Sequence, residues 1–107
     1  RDFIYVDDAS EAFIAAAENS KADSQIFNLG TGTGTSFMEM AKSVKKKIEV
    51  EIKKRPFPNE MKLIEPGSFV TDIGKIRKLI NWAPKTDLNT GIKKTIEFYK
   101  KNKEHYW

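Results

Sequence analysis

The sequence predicts an α/β fold, a small βαβαβ-like unit followed by two further helices. Three observations predict it. Phe3-Ile4-Tyr5-Val6 is a short apolar run that leads into the acids Asp7 and Asp8. Gln25-Ile26-Phe27-Asn28-Leu29 is a second run, ending at Gly30-Thr31-Gly32-Thr33-Gly34 before a helical pattern. Val50-Glu51-Ile52-Lys53-Lys54 alternates apolar and charged residues, the pattern of a half-exposed strand.

Residues 3–6 read as the first strand. Asp7 or Asp8 is placed to cap the next helix, where acids suit the positive end of the dipole. Ala9, Ala12, Phe13 and Ala16 repeat at i, i+3, i+4 and i+7, which predicts one small-residue face packed closely on something. Residues 19–24 read as a polar loop and 25–29 as the second strand. Ser36-Phe37-Met38-Glu39 has the spacing of a capping box, and Phe37, Met40, Ala41, Val44 and Ile48 then mark a helical face. Residues 50–54 read as the third strand. The segment 55–59 is a proline-rich loop, and 59–71 carries no clear pattern. Asp72 is placed to cap a short helix carrying Ile73, Ile76, Leu79 and Ile80, which Pro84 prevents from continuing. Asp87 is placed to cap a last helix with Leu88, Ile92, Ile96 and Tyr99 on one face.

With 107 residues there is room for one domain and one modest core. A hydrophobic content of 39% suits a folded chain. No run approaches the roughly 20 apolar residues of a membrane span, so no membrane partner is expected. There is no cysteine, which excludes thiol chemistry and fits a reducing, cytoplasmic setting, and a single histidine, His105, argues against a metal site. The net charge of +4 is uneven: residues 1–30 hold two basic and six acidic side chains, residues 31–107 seventeen and nine. The lysine runs at 45–47 and 100–103 fall at predicted helix ends, where cations favour the dipole. Nucleic acid is therefore a disfavoured partner.

The glycine turn lies between a strand and a helix, the place where main-chain N–H groups cradle phosphate. Its spacing is Gly-x-Gly-x-Gly, not Gly-x-Gly-x-x-Gly, and the strand after it is too charged for a buried parallel sheet. A tight turn with close backbone approach accounts for the glycines about as well.

Four ordered blocks carry a resemblance. They are Arg1-Asp2-Phe3-Ile4-Tyr5-Val6-Asp7-Asp8; Phe27-Asn28-Leu29-Gly30-x-Gly32; Asp72-Ile73-x-Lys75; and Asn81-Trp82-x-Pro84-Lys85-Thr86-x-Leu88-x-x-Gly91-Ile92. Nearly the whole chain, 1–107, resembles the C-terminal substrate-binding region of extended short-chain dehydrogenases, the NAD-dependent nucleotide-sugar epimerases and dehydratases. The resemblance implies that the parent enzyme carries NAD on an N-terminal Rossmann domain, missing here, against which this part packs. NAD is not expected on the fragment itself. The family's catalytic Tyr-x-x-x-Lys also lies upstream. Tyr99 and Lys103 match its bare spacing but sit in the last helix of a lysine-rich tail, so no catalytic residue is assigned.

The resemblance further implies a nucleoside diphosphate sugar as ligand. Arg1 matches an arginine that contacts the pyrophosphate. Phe37 matches an apolar position near the base, either stacking on it or serving as plain core. Counting back from Asp72 places Lys62 and Glu65 where the family has a pyrophosphate arginine and a ribose-binding acid. Alternatively, Glu65-Pro66-Gly67 aligns so that Glu65 replaces that arginine, and Glu65 reads equally as a solvated loop acid. Phe69 matches a frequent tyrosine of the site. The expected function is the nucleotide-sugar-binding part of such an enzyme, inactive alone, within a parent that could be a homodimer. The alternative is a free-standing nucleotide-binding or protein-interaction module without catalysis.

Overall fold

A computed structural model describes residues 1–106. Four α-helices carry the fold: α1 (Val6–Ala17), α2 (Phe37–Lys45), α3 (Gly74–Ile80) and α4 (Leu88–Lys101). Short 3-10 turns occupy Ser20–Ala22, Asn59–Leu63 and Lys103–His105.

The expected βαβαβ unit is not what the chain forms. Among the described residues there is no strand, and the single sheet-like pairing is an isolated antiparallel bridge between Asp2 and Gly34. The physical reason is pairing. A strand exists only through a neighbour that takes up its N–H and C=O groups, and residues 3–6, 25–29 and 50–54 do not pair with one another. Residues 26–29 make no main-chain to main-chain hydrogen bond among the described residues. They do keep a sheet-like alternation: Phe27 and Leu29 pack on the core, whereas Ile26 is 85% exposed. The last residue of the first expected strand, Val6, already belongs to α1.

The helices start for the reasons their sequences suggest, with two differences. In α2 the Glu39 amide donates to Ser36 Oγ at 3.2 Å and the Ser36 amide donates to Glu39 Oε2 at 2.8 Å, a complete capping box. In α4 the Asp87 carboxylate accepts from the Asn89 amide at 2.9 Å and the Thr90 amide at 3.1 Å. Asp72 accepts from the Gly74 amide at 2.7 Å from one place before the N-cap Ile73. Asp8 does not cap α1. It is buried inside the first turn and accepts from the Thr86 amide at 2.9 Å, tying α1 to the segment before α4. Helix α3 ends at Asn81 in the left-handed conformation (φ 56°) that closes many helices.

The core joins α1 through Ala12 to α3 through Ile73, Ile76 and Ile80, with Trp82 beside them and Phe27 and Leu29 packed on it. Tyr5 lies where α4 comes closest: a methyl group added at Gly91 would sit 3.4 Å from Tyr5 Cδ2. Between α2 and α4 lies an apolar cleft of about 380 Å³ lined by Phe3, Met40, Val44, Leu88 and Ile96. No helix among the described residues is long and apolar enough to cross a membrane.

Candidate functional site

Arg1 is anchored through its main chain. Its amino group donates to the Thr35 carbonyl at 2.7 Å, and the Thr35 amide donates back to the Arg1 carbonyl at 2.8 Å. Thr35 precedes the capping box, so the device that starts α2 also sets its first residue, Phe37, beside Arg1. The Arg1 guanidinium carbon lies 5.7 Å from the Phe37 ring centroid, within cation–π range. Phe3 packs edge-on against Phe37, with centroids 6.2 Å apart. The fork itself is occupied: Nη2 donates to Glu65 Oε1 and Nη1 to the Gly67 carbonyl. Gly67 has φ 73°, the left-handed conformation that turns this loop back.

Of the five residues expected at a binding site, the structure therefore brings together Arg1, Phe37 and Glu65. Lys62 is exposed on the 3-10 turn Asn59–Leu63, and no ion pair is formed by it among the described residues. Phe69 is exposed and makes no ring contact among them. Sequence reasoning missed the Gly67 carbonyl and Phe3. The Glu65-Pro66-Gly67 turn signal was available for the first. Nothing local announces the second.

Behind this cluster, Asp2 organises the glycine turn. Its carboxylate accepts from the Thr31 amide (2.8 Å), the Gly32 amide (2.9 Å), the Thr71 amide (3.1 Å) and the Thr31 hydroxyl. Burial pushes the Asp2 pKa up, but these donors outweigh it and hold the carboxyl below its usual range. The glycines face the chain's own atoms: a methyl group on Gly30 would fall 2.5 Å from Thr71 Oγ1, and one on Gly34 would fall 2.9 Å from Val70 Cγ2. The turn's N–H groups at 31 and 32 are thus spent on Asp2, and its glycines admit residues 70–71. It does not fit a dinucleotide pyrophosphate.

No family model matches the chain. Over 110 residues it is 33% identical to the UDP-glucose 4-epimerase of Rhizobium leguminosarum bv. trifolii, covering 98% of this chain and 32% of that protein. Over 111 residues it is 31% identical to the dTDP-D-glucose 4,6-dehydratase of Bos taurus, covering 100% and 31%. The chain is homologous to the NAD-dependent nucleotide-sugar epimerase/dehydratase family. It spans about a third of the length of these relatives. An epimerase structure from Methanothermobacter thermautotrophicus superposes with a TM-score of 0.83 at 23% identity, over 97% of this chain and 31% of that one, a likeness of fold.

Homology to the epimerase/dehydratase family does not rescue the expected function. A nucleotide-sugar-binding part built as a βαβαβ fragment would present a crevice at the carboxyl ends of its strands. The described residues form four helices and no strand, so that reading is corrected and the non-catalytic module is the better supported one.

Proposed function

We propose that this chain is a binding module without chemistry of its own, and that it docks on a second protein domain. The observation that carries the reading is that α1 keeps large apolar side chains exposed away from its core contact. Ala12 is buried in the core, while Val6, Phe13 and Ile14 are 65%, 72% and 58% exposed. Large apolar side chains left exposed together on a helix that also carries Asp7, Ser10 and Glu11 mark a surface for another layer, and this chain supplies one layer only. Ile26 extends the same chemistry to a segment, 26–29, that makes no main-chain to main-chain hydrogen bond among the described residues, its Ile26 carbonyl accepting from Lys75 Nζ at 2.9 Å, and such a segment can add to a neighbouring sheet. The partner we propose is the dinucleotide-binding domain implied by the family resemblance, with any NAD carried there.

The test mixes the chain with the remaining two thirds of the Rhizobium relative and follows complex formation by light scattering. A one-to-one complex is expected, lost in a Phe13→Lys, Ile14→Lys variant of unchanged helicity. No complex at about 100 μM, which leaves less than about 5.5 kcal/mol of binding, overturns the proposal.

A second reading is favoured by one specific observation, the Arg1 guanidinium beside the Phe37 ring. A fork for phosphate oxygens next to an aromatic face is a recognition pair for a nucleoside diphosphate. Calorimetry of the chain with such a ligand tests it, and the absence of heat at millimolar ligand removes it.

A further inference from the structure

We infer that Glu65 sets the anion affinity of the Arg1 site by occupying the guanidinium that an incoming phosphate would need. The inference rests on the second reading above and deepens it. A carboxylate presents to arginine the same paired oxygens that a phosphate does. Here the carboxylate comes from the chain itself: Nη2 of Arg1 donates to Glu65 Oε1, and Nη1 donates to the Gly67 carbonyl two residues on. Both acceptors belong to one loop, turned by Gly67 at φ 73°. The loop therefore closes on Arg1 as a unit.

The latch is accessible. The Arg1 and Glu65 side chains are 22% and 32% exposed, so an anion from solvent reaches the pair without unfolding anything. To bind, it displaces Glu65 from the fork and then meets the carboxylate it has released. Two penalties follow from one residue, the lost ion pair and the repulsion between like charges. Phe37 adds neither, because its ring carries no charge and lies 5.7 Å from the guanidinium carbon. Glu65 is thus a specificity-determining residue that disfavours diphosphates at an arginine otherwise suited to them.

Isothermal titration with inorganic pyrophosphate at fixed ionic strength tests this on the full chain. Glu65→Gln is expected to bind about tenfold or more tightly than the unaltered chain. Glu60→Gln removes an exposed acid from the same region and is expected to leave affinity unchanged. Arg1→Gln combined with Glu65→Gln is expected to abolish the gain. Circular dichroism confirms that each variant keeps its helices. Equal affinity in Glu65→Gln and the unaltered chain overturns the role of Glu65 and leaves an anion site at Arg1. A gain matched by Glu60→Gln, or one that survives loss of Arg1, overturns it as a general charge effect. No binding by any form overturns the anion site itself.

Discussion

Asp2 gathers four donors from two distant stretches of chain, the Thr31 amide and hydroxyl, the Gly32 amide and the Thr71 amide. Asp2→Asn halves the acceptor capacity and removes the charge, and it is expected to cost about 1–3 kcal/mol in urea unfolding. The pH dependence has a definite sign. The folded pKa of Asp2 lies below its ordinary value, so the stability it contributes is complete above about pH 4 and is lost as pH falls through the folded pKa. Glu39 and Asp87 are lowered by their own caps and act in the same direction. Unfolding followed between pH 5 and 2 is expected to show a smaller loss of stability in Asp2→Asn than in the unaltered chain. At Gly30 a methyl group would meet both Thr71 Oγ1 and Asp2 Oδ2 at 2.5 and 2.6 Å, so Gly30→Ala is expected to cost roughly 1–3 kcal/mol. The sequence shows Asp2 only as an acid in the first of the four ordered blocks, with no partner marked beside it. It does not announce Thr71, which lies 69 positions away, because no local signal encodes so distant a donor. Glu65 is the same case: as a loop acid it is legible, and as the partner of Arg1 it is not, since 64 residues separate them.

Helices α2 and α4 were legible because their starts are local chemistry, a capping box at Ser36 and an acid at Asp87 with partners two or three residues away. The strands expected at 3–6, 25–29 and 50–54 do not form. Residues 25–29 carry the alternation of a strand, with Phe27 inward and Ile26 outward, but alternation sets faces and cannot supply an edge to pair with. Asp8 shows a third kind of difference. A first-turn acid at a helix start satisfies the dipole wherever it points, so its sequence position does not reveal that it is buried on Thr86. Gly91 offers a contrast to Gly30. It lies within α4, and a methyl group added there would meet Tyr5 Cδ2 and Cβ at 3.4 and 3.5 Å, ordinary contact distances. Gly91→Ala is therefore expected to stabilise the chain by about 0.5–1 kcal/mol through helix propensity, read as a rise in thermal midpoint.

The chain as a whole is open for its length. Its radius of gyration is 16.8 Å, against about 13 Å for a compact chain of this size. The buried apolar core consists of Ala12, Ile73, Ile76, Ile80, Trp82 and Ile92, while Phe13, Ile14, Ile26, Leu63 and Ile64 are each more than half exposed. Such a balance makes stability depend on what covers the outer surface, because a partner that binds only the folded form adds to its stability by mass action. The thermal midpoint of the chain is expected to rise with added dinucleotide-binding domain and to stay constant with an unrelated protein of equal charge. A midpoint indifferent to both would mean that the exposed side chains serve no docking role.

The Asp2 carboxylate also sets an order of events in time. Its partners lie 29, 30 and 69 positions along the chain, so both the glycine turn and the Thr71 segment must arrive before the cluster closes. Closing loops of that size gives up chain entropy before any contact rewards it, and the capped helices need no such wait. Asp2 is thus a late fastener of the folding reaction. In stopped-flow experiments Asp2→Asn is expected to speed unfolding while leaving the refolding rate almost unchanged.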